Sequence, residues 1–112
     1  MTMPTAQYAW IYLILAGLFE VGWPVGLKMA QTPGKVLPGV AFAVVCMAVS
    51  GALLWLAQKS IPMGTAYAVW TGIGAAGTFV LGLALYGDPA SVMRIVGVLL
   101  IIAGVVTLKM AS

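Results

Sequence analysis

Four runs of mostly apolar residues, at about 8–28, 36–58, 64–86 and 92–110, constrain this chain more than anything else in it. A helix crosses a hydrocarbon core of roughly 30 Å with about 20 such residues, and each run is long enough. The connectors between them hold the expected breakers: Thr32-Pro33-Gly34, Lys59-Ser60-Ile61-Pro62 and Gly87-Asp88-Pro89. Hydrophobic residues make up 63% of the chain and charged residues 6%, against about 45–50% and about 25% in soluble domains. Five Lys or Arg and two Asp or Glu cannot cover a water-soluble surface. The expectation is an all-α integral membrane protein, with residues 1–112 forming a single domain of four transmembrane helices. The first run is too long for a signal-peptide core and is interrupted by Glu20, so it reads as a retained span.

The same composition excludes several functions. There is no His and one Cys, which removes His-based acid–base catalysis, zinc sites with nitrogen ligands and any intrachain disulfide. No metal, cofactor or enzymatic activity is expected. Five isolated cations form no basic patch, so nucleic acid is not a partner; the surroundings are membrane lipid.

Orientation follows the side richer in Lys and Arg. With four spans, one side holds Lys59 and Lys109 and the other holds Lys28, Lys35 and Arg94. Two against three is almost no bias. A chain that inserts both ways can pair with an inverted copy of itself, giving an inverted-repeat transporter from one short sequence.

Glu20 is the only carboxylate inside any span. An ionisable group near mid-span costs ~2.5–3.5 kcal/mol on insertion scales, so such residues mark ion and substrate pathways more often than structural contacts. Trp23 follows at i+3 and shares its helix face; Tyr67 and Trp70 repeat that spacing on the third span, with Thr71 beside them. Tyr8, Trp10, Tyr12, Trp55 and Tyr86 lie at span ends and suit an interfacial belt. Trp23 and Trp70 lie deeper, where aromatic faces near a carboxylate favour an organic cation. Ser50, mid-span in the second run, either hydrogen-bonds Glu20 or serves as a small packing residue.

The run Gly72-Ile73-Gly74-Ala75-Ala76-Gly77 matches the dinucleotide fingerprint G-x-G-x-x-G, but it lies inside an apolar helix with no strand before it. Close helix packing or bending explains it better. Gly97 and Gly104 are two turns apart on the fourth span and form a smooth strip for a partner helix. Arg94 and Lys109, at the ends of that span, are placed to snorkel. Pro24 cannot donate to the carbonyl of Glu20, four residues back. In a membrane that open carbonyl needs another donor or a wet cavity. Cys46 reads as a small apolar residue.

The runs GLFEVGWPVGLK, IPMGTAYAVWTGIGA and GVLLIIAGVVTLK resemble the small multidrug resistance family, and the resemblance extends over about residues 8–110. Trp23, three places after Glu20, and the TAYAVWTGIGA run resemble its guanidinium exporter subtype. The resemblance implies an antiparallel, dual-topology homodimer in a bacterial inner membrane that exchanges protons for guanidinium-type cations. It implies Glu20 as the shared proton and substrate site, and Trp23, Ser50, Tyr67 and Trp70 as the pocket. Gly97 and Gly104 would belong to the dimer strip. The sequence departs from the family's EVVWAI-type run at Gly22 and Pro24, and the loop MAQTPGK departs from its usual basic, aromatic stretch. Gly22 and Pro24 together are expected to enlarge the wall beside the carboxylate and to favour substituted guanidines such as guanylurea.

Guanidinium is flat and presents its donors in a fork that matches carboxylate oxygens. If protons and cation exclude one another at a shared carboxylate, their fluxes are coupled. The alternatives are a broader exporter of quaternary ammonium and other small drug-like cations, a passive cation channel, a membrane assembly subunit, and one half of an obligate heteromeric pair. The last is disfavoured by the near-zero charge bias.

Overall fold

The computed structural model describes residues 5–111. These form four helices, α1 (Thr5–Met29), α2 (Val36–Ala57), α3 (Met63–Tyr86) and α4 (Val92–Met110). All four are long and apolar enough to cross a membrane. Hydrocarbon offers a backbone no partner, so each run satisfies its amides internally, and the helix is the local solution.

The ends are set by local chemistry. Pro38 falls in the first turn of α2, where an amide proton has no helical acceptor in any case. Pro62, at φ −53° and ψ 141°, feeds the chain into α3. Gly87 ends α3 at φ 64°, a left-handed conformation that glycine adopts without penalty. The Ser91 hydroxyl accepts from the Arg94 amide at 3.2 Å and caps α4.

α1 is the central helix. It packs against α2 on one side and α3 on another, whereas the α4 backbone comes close to α3 alone. The α1–α2 contact rests on small residues: a Cβ added to Gly26 would lie 2.7 Å from the Gly39 carbonyl oxygen and 3.0 Å from the Ala43 Cα. Helices that approach this closely gain dispersion contact along their backbones, which is the main attraction available in lipid. Leu13, Ala16, Ala57 and Ala66 are fully buried around this core. Trp10 also belongs to the core cluster, at 9% exposure, with Lys109 Nζ 4.9 Å above its ring. Trp10 thus faces the core, which its place near a span end does not indicate. Its ring is used for packing, and α4 brings a cation to its face. Trp55 fits the belt better, being exposed beside Lys59 at 4.5 Å.

No residue of α4 is buried. A Cβ added to Gly97 or Gly104 would point into open space.

Candidate functional site

Glu20 points from α1 toward α3, and Gly74 makes its position possible. A Cβ at Gly74 would overlap the Cγ of Glu20 and lie 3.2 Å from its Cβ. The same register sets Gly17 against Ile73 and Gly77 against Val21. The glycine-rich run of α3 is thus the surface on which α1 lies, and it reads as packing rather than as a nucleotide loop. Gly72 faces the opposite way, toward Val105 and Ile101 of α4. Both Gly72 and Gly74 are occupied within the chain, while Gly97 and Gly104 are open.

The carboxyl group opens on a groove of about 370 Å³ whose other walls include Trp23, Pro24, Thr71, Gly74 and Thr78. Glu20 Oε1 and Trp23 Nε1 are both buried and neither makes a hydrogen bond of good geometry, although the indole approaches the carboxyl as a donor. A buried acceptor and a buried donor left open at one groove are costly, because each has lost its water. A ligand that donates to Glu20 recovers the carboxyl's share of that cost, and it can also lie against the indole face. Trp23 also lines a separate apolar cavity of about 430 Å³ with Leu27 and α2 side chains, so it borders both spaces.

Of the two readings of Ser50, the bond to Glu20 is not made. The Ser50 hydroxyl donates to the Ala16 carbonyl at 2.6 Å and accepts from Trp70 Nε1 at 2.8 Å. One fully buried hydroxyl therefore ties α1, α2 and α3 together one turn from Glu20. Trp70 in turn stacks at a tilt with Tyr67, their centroids 5.5 Å apart. Tyr67 is 57% exposed on the protomer surface. The structure thus brings Glu20, Trp23 and Pro24 into one groove, and Ser50, Trp70 and Tyr67 into an adjoining network.

Two wall residues, Thr71 and Thr78, lie seven apart on α3 with Gly74 between them. Two turns of helix place them on one face; Thr78 is not among the residues singled out from the sequence, and its spacing from Thr71 is the signal that marks this side of the groove. Gly22 does not border the groove, contrary to expectation. A Cβ there would overlap Cys46 Sγ and lie 2.9 Å from Cys46 Cβ. Gly22 serves the α1–α2 contact and does not widen the groove; Pro24 alone of the two departures lines it. Among the described residues, no group of three His, Cys, Asp or Glu is placed to hold a metal ion.

Four membrane-length helices around an interior carboxylate, with an aromatic donor beside it, define a small multi-pass membrane protein with a polar site inside its spans. The chain belongs to the small multidrug resistance family: the family model described as Small Multidrug Resistance protein matches residues 8–101. It is similar to the protein named guanidinium exporter in Yersinia pseudotuberculosis, at 52% identity over 93% of this chain and 99% of the relative. It is 48% identical to the guanidinium exporter of Escherichia coli K12, over 93% of this chain and 98% of that one. The guanidinium exporter of Salmonella typhimurium is 44% identical over the same shares.

Proposed function

We propose that the protein exports guanidinium and small substituted guanidines in exchange for protons, as an antiparallel homodimer in the bacterial inner membrane. The observation that carries this reading is the buried, unpartnered Glu20 Oε1 at a groove shared with Trp23. The names of the relatives support the cargo. Glu20 takes either a proton or the cation, and Trp23 lends its indole to the cation's edge or face. Ser50, Trp70 and Tyr67 hold the adjoining helices in register. In a dimer of inverted copies, two Glu20 carboxylates share one midplane site, which two protons or one planar cation can occupy. Mutual exclusion then couples export of the cation to entry of protons. No covalent step is involved, so the protein is a transporter and not an enzyme.

The unburied α4, with Gly97 and Gly104 open on its surface, supports the dimer. A helix that packs on the chain through one side and has no fully buried residue gains from packing its other side against a second copy through small residues. Pro24 in the groove wall supports acceptance of larger guanidines, because the freed Glu20 carbonyl adds an acceptor there.

The test is guanidinium uptake into liposomes containing only this protein, driven by a proton gradient, for wild type and Glu20→Gln. Uphill uptake by the wild type and none by the variant, with both inserted, is expected. Uphill uptake by Glu20→Gln overturns the mechanism. Conduction without proton exchange favours a channel.

A further inference from the structure

The Glu20 groove continues toward one membrane face. Pro24 and Thr78, on its wall, also line a second cavity of about 190 Å³. That cavity is completed by Lys28, Gly82, Tyr86 and Asp88. Glu20, Pro24 and Lys28 are spaced one turn apart along α1, so the two cavities follow the helix for about 12 Å, from the interior carboxylate to the helix end.

Asp88 is held at the outer end of this path by three features of the chain. Gly87 at φ 64° turns the backbone at the end of α3. The Asp88 amide then donates to the Gly82 carbonyl at 3.1 Å. Its carboxylate lies against Gly82, in the space a Cβ there would fill. The carboxylate is placed, yet it has no ion pair among the described residues. The nearby cation, Lys28, has its Nζ 5.9 Å from the Tyr86 ring centroid and is not paired with Asp88. Asp88 and Glu20 are the chain's only two acidic residues, and the cavities they line share Pro24 and Thr78 as walls.

We infer that Asp88 is an outer docking station for the cargo cation, from which it passes along Thr78 and Pro24 to Glu20. This rests on the cation-export reading above. Lys28 lines the same cavity with its ammonium near the Tyr86 ring, so the attraction is a short-range one between the cargo cation and the Asp88 carboxylate, which raises occupancy at the mouth. That contribution is lost when salt screens it. Asp88 is therefore a specificity and capture residue, acting before the exchange at Glu20.

The experiment measures initial rates of guanidinium uptake against concentration, in proteoliposomes at low and at high ionic strength. Wild type, Asp88→Asn, Asp88→Glu and Gly82→Ala are compared. For Asp88→Asn the KM should rise about tenfold at low ionic strength and converge on wild type at high, with the maximal rate kept. Asp88→Glu should recover much of the loss. Gly82→Ala, which displaces the carboxylate without removing it, should also raise KM at low ionic strength. A purely structural role for Asp88 would instead lower the maximal rate, or raise KM equally at both ionic strengths; either result overturns the inference. An unchanged KM for Asp88→Asn, in preparations whose wild type transports, overturns it while leaving the transport reading standing. Wild-type protein that moves no guanidinium overturns both.

Discussion

The side chain of Glu20 lies directly on the backbone of Gly74, with no room for a single added carbon between them. The position of the interior carboxylate is therefore set by a residue on a different helix, 54 positions later in the chain. Gly74→Ala should leave insertion intact, since Ala favours a helix over Gly by about 1 kcal/mol, yet it should push the carboxyl group out of place. Guanidinium uptake should fall about tenfold or more, a loss of about 1.4 kcal/mol in transition-state stabilisation. Shortening the acid in the same background, Glu20→Asp with Gly74→Ala, should lose less than the two single changes combined. Additive losses in proteoliposome uptake would show that the two residues do not act through this contact.

Ser50→Ala tests the hydroxyl that joins three helices. It removes the bond to the Ala16 carbonyl and leaves Trp70 Nε1 without its acceptor. Interhelical hydrogen bonds in membranes contribute about 0.6–1.7 kcal/mol each, so detergent unfolding should show a loss of about 1–3 kcal/mol. Transport should weaken without disappearing, because the Glu20 carboxylate keeps its own wall. Complete loss of uptake with unchanged stability would place Ser50 in direct contact with the cargo instead.

The four helices were legible because hydrocarbon leaves a backbone few options, and each apolar run is of spanning length. Glu20 was legible because a lone carboxylate stands out in such a run, and Trp23 because i+3 spacing fixes its face. Both line the groove. Ser50 was identified as a candidate, but its partner was not. The acceptor is the main-chain carbonyl of Ala16, and a backbone oxygen leaves no mark in the sequence. Gly22 and Gly74 show the same limit from another side. Each is a small residue on a helix face, and only the register between helices decides that one meets Cys46 and the other Glu20. The place of Trp10 near a span end suits an interfacial belt but carries no sign that the ring packs into the core, because that depends on the neighbouring helices.

Dual insertion is tested through the connector between α1 and α2, where Gln31 is exposed. With Cys46 replaced by Ala, a cysteine introduced by Gln31→Cys should react with a membrane-impermeant maleimide from both sides, each in comparable amount. The charge count of two against three gives no strong preference. Two Lys added to the N-terminal tail should fix one orientation and reduce uptake, and co-expression with an oppositely biased copy should restore it. Labelling of the wild-type background from one side alone would sink the antiparallel arrangement.

Pro24 offers the sharpest test of cargo choice. It lies in the groove wall one turn from Glu20, and it leaves the Glu20 carbonyl without the amide that would normally close the helix there. A cation with donors beyond the three corners of guanidinium, such as guanylurea, can use that carbonyl together with the carboxylate. Pro24→Ala supplies the missing amide, so the carbonyl turns back into the helix and is no longer free for cargo. A membrane hydrogen bond of about 0.6 kcal/mol corresponds to a change of about threefold. The ratio of guanylurea to guanidinium transport should therefore fall by about that factor. The comparison is made in matched liposomes, with both cations presented to wild type and variant under the same proton gradient. Gly22→Ala serves as the contrast: it disturbs the contact with Cys46 and should lower stability while leaving the substrate ratio unchanged. An unaltered ratio in Pro24→Ala would reduce the proline to a tolerated helix interruption, and a shift in Gly22→Ala instead would move selectivity to the α1–α2 side.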